Sequence, residues 1–163
     1  MTMDTRIRDV RGLETRPLFD MAIDLEAPLN IGGPLGHRAL FGAARGTFEG
    51  PKLRGEVLPG GGDWALFRTD ATMNLDVRIT LRVDDGAQVY MSYSGRWTTP
   101  PELRPEMGDS ATRHLVDPDR YYFRTAPMFE TGAPNYRWLN DIVCVGFGYF
   151  IDGGVAYRVF EVL

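Results

Sequence analysis

Apolar residues recur at every second position through much of the chain. The clearest run is Leu75 to Val83, where Leu75, Val77, Ile79, Leu81 and Val83 alternate with Asp76, Arg78, Thr80 and Arg82. Side chains of a strand alternate between two faces, so the aliphatic set falls on one face and the polar set on the other, an order that a helix would scramble. Asp84-Asp85-Gly86 follows, and Asp-Gly tolerates the positive φ angles of a tight hairpin, so Gln88 to Ser94 is expected to return as the next strand. The same rhythm predicts strands at Leu18–Leu25, Ala43–Glu49, Leu53–Leu58, Trp64–Arg68, Tyr121–Thr125, Ile142–Ile151 and Val155–Val162, with Asp152-Gly153-Gly154 turning the last pair.

No long amphipathic helix interrupts this pattern. Many short antiparallel strands must form a sandwich or close into a barrel, and closure removes the exposed edges that invite aggregation. The expected fold class is therefore all-β, a single-domain antiparallel β-barrel of about eight to ten strands spanning residues 18–163, behind an N-terminal extension at 1–17. Residues 98–118 break the rhythm with Pro100, Pro101, Pro105 and Pro118. They read as one long loop excursion at a barrel end, either a lid or an insertion without a role.

Bulk composition narrows the function classes. A chain of 163 residues with 44% hydrophobic content suits one domain. Its 18 Lys+Arg and 22 Asp+Glu are interspersed, with no basic block to neutralise phosphates, so nucleic acid is not expected as a partner. The N-terminal residues lack the apolar run of a signal peptide and no later segment is apolar for long enough to cross a bilayer, so no membrane is expected and the location is expected to be cytoplasmic. The single cysteine, Cys144, lies in the apolar run Ile142-Val143-Cys144-Val145 with no adjacent base, and is expected to be a small buried residue.

Three blocks carry a resemblance. The first is Gly46-Thr47-Phe48-Glu49-Gly50-Pro51, continuing through Gly55-Glu56-Val57-Leu58-Pro59 and Gly60-Gly61-Gly62-Asp63-Trp64. The second is Leu75-Asp76-Val77-Arg78 with Leu81 and Asp84-Asp85-Gly86. The third is Tyr122-Phe123-Arg124-Thr125, then Phe129-Glu130-Thr131-Gly132-Ala133-Pro134, Tyr136 and Trp138-Leu139-Asn140. Together they resemble family 3237 of the domains of unknown function, the UPF0311-like proteins, from roughly Leu18 to the C-terminus. The resemblance implies a small β-barrel and brings no assigned chemistry. Two positions depart from its pattern: Arg45-Gly46 stands where two glycines are common, and Asp70-Ala71 replaces an Asp-Gly turn.

The expected catalytic set is Tyr122, Arg124, Glu130 and Asp63. In a strand Tyr122 and Arg124 share a face; if it is the inner one, Arg124 can hold a carboxylate in a fork while Tyr122 or Glu130 moves a proton. Equally, Arg124 and Glu130 can be a structural ion pair with Tyr122 as a wall residue. Asp63, after three glycines, can enter a cleft or simply accept a hydrogen bond at a turn. Trp64, Arg78, Phe129, Trp138 and Asn140 are the candidate substrate-binding residues; Arg78 belongs with them only if the polar face of its strand lines the lumen. His37 and His114 occupy separate loop contexts and make a poor ligand set, so no metal is expected, and no cofactor motif is present. The aromatic residues, 9 Phe, 7 Tyr and 3 Trp, are dense in the last part of the chain and can line a cavity or simply fill the barrel.

The function expected from this set is a cofactor-independent lyase or isomerase, possibly a decarboxylase, acting on a small aromatic or unsaturated acid held inside the barrel. The alternative is a non-catalytic carrier or binding module for a small hydrophobic metabolite. A third reading is an interaction protein whose apolar exterior packs on a copy of itself, and a homo-oligomer is expected.

Overall fold

A computed structural model describes residues 4–163. Nine strands form one sheet: β1 (Thr15–Leu25), β2 (Leu29–Gly32), β3 (His37–Glu49), β4 (Arg54–Phe67), β5 (Thr72–Val83), β6 (Gln88–Thr98), β7 (Tyr122–Glu130), β8 (Cys144–Ile151) and β9 (Gly154–Val162). They lie in the order β1-β9-β8-β7-β6-β5-β4-β3-β2, and β1 also pairs with β3. That pairing closes β1 and β3–β9 into an eight-stranded antiparallel barrel, with β2 added beside the start of β3. The barrel expected from the alternation is the observed fold.

The aliphatic face of β5 points inward: Leu75, Val77, Ile79, Leu81 and Val83 are all buried, and Asp76, Arg78 and Arg82 are exposed. Placing the apolar face inside removes it from water and leaves the charged face solvated. The Asp85-Gly86 and Asp152-Gly153 turns form as expected, with Gly86 at φ 90° and Gly153 at φ 69°.

Two local expectations are corrected. Leu53–Leu58 and Trp64–Arg68 are not separate strands but parts of β4, which runs through Gly60-Gly61-Gly62 with a register shift between Leu58 and Gly62. Gly61 and Gly62 allow close approach of the Arg78 and Phe41 backbones on the neighbouring strands: a Cβ on Gly62 would meet Phe41 O at 2.6 Å. Leu29–Gly32, where no strand is expected, pairs with β3.

One end of the barrel is filled by packed side chains. Phe19 lies 5.4 Å from Phe48 and 5.9 Å from Phe129 between ring centroids, and Leu53, Leu139 and Cys144 are buried with them. The β7–β8 connection crosses this end through a 3₁₀ stretch at Pro134–Asp141. The opposite end lies under the β6–β7 excursion, which folds into short helical turns at Pro101–Leu103, Arg104–Gly108, Arg113–Leu115 and Pro118–Arg120 and buries Leu103, Met107 and Val116. Among the described residues no helix is long and apolar enough to cross a membrane.

Candidate functional site

Beneath the excursion the barrel holds a cavity of about 640 Å³. Its walls are Ile23, Phe41, Met73, Leu75, Val77, Ile79, Trp97, Phe123 and Phe150, and its polar groups include Asp63, Tyr93, Tyr157, Glu26 and Arg113. An apolar cavity with few converging polar groups has the character of a small-molecule site.

Asp63, Val77 and Tyr93 are aligned across β4, β5 and β6, because Asp63 pairs with Val77 and Val77 with Tyr93. Strand alternation sends all three inward. The β4–β5 pairing skips Trp64 and Ala65, and there Asp63 Oδ1 accepts the backbone N–H of Asp76 at 2.9 Å. Its Oδ2 makes no hydrogen bond among the described residues. Burial pushes the Asp63 carboxyl up to about 6; the Asp76 N–H and the Arg38 guanidinium oppose that rise without cancelling it. A carboxyl near 6 exists in both forms close to neutral pH, as an acid–base group requires.

Tyr93 and Tyr157 meet edge to face across the lumen with centroids 5.4 Å apart. Burial raises both phenols above their ordinary value, and the charge of Asp63 raises them further, so both remain protonated donors. Phe123 stands edge-on to Tyr157 at 5.6 Å, and Phe150 packs 5.5 Å from Phe123 and 4.9 Å from Trp97, which completes an aromatic wall. β8 makes room for it: a Cβ on Gly148 would meet the Phe123 ring at 2.7 Å. The indole Nε1 of Trp97 is buried with no hydrogen-bond partner. Met107, Gly108, Ser110 and Arg113 of the excursion supply the cover.

Of the four expected catalytic residues, only Asp63 reaches this cavity. The expectation that Tyr122, Arg124 and Glu130 open into the same hollow is corrected: they occupy the outer positions of β7, while Phe123, Thr125 and Phe129 take the inner ones. Tyr122 is 54% exposed. The Arg124 guanidinium lies 3.7 Å from the Phe147 ring centroid and donates to Phe123 O at 2.9 Å. Glu130 is exposed, and among the described residues it pairs with neither Arg124 nor another cation.

The expected substrate-binding set disperses as well. Trp64 alternates with inward Asp63 and Ala65 and so lies on the outer wall. Arg78 is outside too, 3.0 Å from Asp76. Phe129 is inside but belongs to the packed end, and Trp138 lies against that end with Lys52 Nζ 4.7 Å from its ring centroid. Asn140 pins the β7–β8 connection, accepting from Thr131 N at 2.8 Å and donating to Thr131 O at 3.0 Å. Cys144 is fully buried, and burial pushes its thiol up to about 12. His37 is exposed beside Asn30, whereas His114 lies in the excursion with Nδ1 buried and unpartnered.

Sequence reasoning missed Tyr93, Tyr157 and Arg113. The tyrosines were detectable by phase: Tyr93 follows Val89 and Met91 at every second position, and Tyr157 falls between Val155 and Val159. Arg113 carries no such signal, because its segment has no strand period.

A family described as "Protein of unknown function (DUF3237)" matches residues 13–162. The chain belongs to this family. It is 34% identical over 158 residues to a UPF0311 protein of Clostridium acetobutylicum, covering 96% of this chain and 98% of that one. A UPF0311 protein of Rhodopseudomonas palustris is 35% identical over 154 residues, covering 93% of this chain and 97% of its own length. Among solved structures, a conserved protein of unknown function from Rhodopseudomonas palustris superposes on this family member with TM-score 0.87 at 32% identity, covering 94% of this chain and all (100%) of that one. A β-barrel-like protein from Acinetobacter baumannii gives TM-score 0.79 at 28% identity, covering 95% and 99%. An enzyme from Penicillium herquei shares the fold at TM-score 0.69 and 17% identity, covering 96% and 98%.

Proposed function

We propose that this barrel is a proton-transfer enzyme of lyase or isomerase type whose substrate, a small aromatic or unsaturated acid, occupies the cavity above Asp63. The observation that carries the reading is the Asp63 carboxyl, held near a pKa of about 6 in a largely apolar hollow beside two protonated phenols. Burying an acid costs stability, and acids tuned toward neutrality concentrate at sites of proton transfer.

In an isomerisation, ionised Asp63 takes a proton from one substrate carbon and returns it to another after the double bond has moved. In a decarboxylation, the electron pair of the breaking C–C bond stays on the substrate carbon, carbon dioxide leaves, and protonated Asp63 delivers its proton to that carbon. Tyr93 or Tyr157 donates a hydrogen bond to the oxygen on which negative charge gathers, and the aromatic wall with its cover excludes water. The barrel of the Penicillium herquei enzyme supports only the compatibility of this fold with catalysis.

A carrier for a hydrophobic metabolite would use the same apolar wall but not the proton on Asp63. Asp63→Asn separates the two. Screened against small unsaturated and aromatic acids with proton exchange or carbon dioxide release as readout, the wild type turns over and the variant loses on the order of a hundredfold or more. A variant that keeps full activity would overturn the reading.

A further inference from the structure

Arg113 differs from the other arginines of the cavity end. It lines the cavity from the excursion, its Nε is buried with no hydrogen-bond partner, and its guanidinium lies 5.4 Å from the Phe150 ring centroid. Among the described residues nine arginine–carboxylate pairs form, and none includes Arg113. Asp109 acts on it only through space, while burial disfavours its charge. Nearby Arg38 shows the ordinary solution, donating Nη1 to Trp64 O at 2.6 Å.

From this geometry we infer that Arg113 is the anion receptor of the cavity, and that the barrel selects flat apolar molecules carrying one anionic group, a carboxylate or an enolate. A guanidinium has five donors in a planar fork and cannot shed its charge, so a half-buried one whose Nε is sealed from water without a partner leaves part of its desolvation uncompensated. A carboxylate restores those bonds in matching geometry. A neutral ligand of the same shape leaves them unmade, so the discrimination comes from the unsatisfied donor as much as from attraction. Phe150 beneath the guanidinium, with Trp97 and Phe123 beside it, offers rings on which the ligand body can stack. Asp63 limits the ligand to a single charge, because a second anionic group directed at it would be repelled once that carboxyl ionises.

The inference rests on the cavity being the substrate site, but its test needs no turnover. Two fluorescent probes of nearly equal size serve: the anionic anilinonaphthalene sulfonate and the neutral phenylnaphthylamine. The wild type is expected to bind the anion more tightly than its neutral twin. Arg113→Gln lowers the anion's affinity by about tenfold or more and leaves the amine unchanged, and Arg113→Lys recovers part of the loss. Equal affinities in the wild type, an equal loss for both probes in Arg113→Gln, or binding of neither probe would overturn the inference. Asp63→Asn retains the anion preference whether or not it abolishes turnover. Failure of the acid–base reading, seen as turnover surviving Asp63→Asn, is thereby distinguished from failure of anion recognition, seen as a preference indifferent to Arg113.

Discussion

Asp63 and Tyr93 are both registered against Val77, one strand to either side, so a carboxyl and a phenol project into the lumen from one row of the barrel wall. Neighbouring strands stand about 4.8 Å apart, which puts the two backbones about 10 Å from each other and leaves a gap that their side chains and a ligand can share. The charge of one disfavours ionisation of the other. Proton affinity at this site is thus a property of the row.

This row makes stability depend on pH. Asp63 titrates near 6 when folded and near its ordinary 3.8 when unfolded, so the folded state holds the proton more tightly. The stabilisation is fully present below about pH 4 and is lost as pH rises through about 6, a change of up to about 3 kcal/mol. Asp63→Asn keeps an oxygen to accept the Asp76 N–H and removes the titration. Its unfolding free energy, measured by urea titration from acid to neutral pH, should lose the decline that the wild type shows over this window.

Phe123 depends on Gly148. A Cβ there would meet three atoms of the ring at 2.7, 2.8 and 2.9 Å, so Gly148→Ala must displace the ring into the cavity or bend β8. The expected loss of stability is about 1–3 kcal/mol, with weaker binding of flat ligands. Thermal unfolding and probe affinity report the two effects separately.

Ala71 is the non-glycine residue with positive φ among those described, at 64°. The Asp70-Ala71 departure from an Asp-Gly turn therefore leaves the turn intact and places the strain on alanine: Thr72 N still donates to Asp70 Oδ1 at 3.2 Å, and Arg68 N to Thr72 O at 2.9 Å. Ala71→Gly relieves about 1 kcal/mol of left-handed strain, less part of that gain through unfolded-chain entropy. The net shift should be a raised melting temperature with no change in ligand binding.

The outer face of β7 offers a control. Arg124→Ala removes a guanidinium stacked on Phe147 and should cost about 0.5–1 kcal/mol of stability. Neither it nor Glu130→Gln should alter probe binding inside the barrel. A large change in either variant would place a second ligand contact on the outer wall.

Architecture was legible in the chain because burial and alternation are local: each strand records which of its faces avoids water, and Asp-Gly pairs mark where it turns. The glycine run at 60–62 was misleading because glycine serves both as a turn residue and as a relief for close strand contact, and only the neighbouring Arg78 and Phe41 backbones, against Gly61 and Gly62, tell them apart. A different ambiguity, of face, affected β7. Tyr122 and Arg124 do share a face, as the period requires, but Phe123 and Thr125 make the opposite face the apolar one, and the barrel turned that face inward.

By itself, then, the sequence determined an all-β chain of alternating strands, its hairpin turns and its family. Only the tertiary structure decided the composition of the site. Closure of β1 onto β3 brings β4, β6 and β9 around one lumen, so Asp63, Tyr93 and Tyr157 meet although they are far apart in the chain. The excursion then sets Arg113 over them. Such convergence depends on register and closure, which are collective properties of the whole barrel and are recorded at no single position.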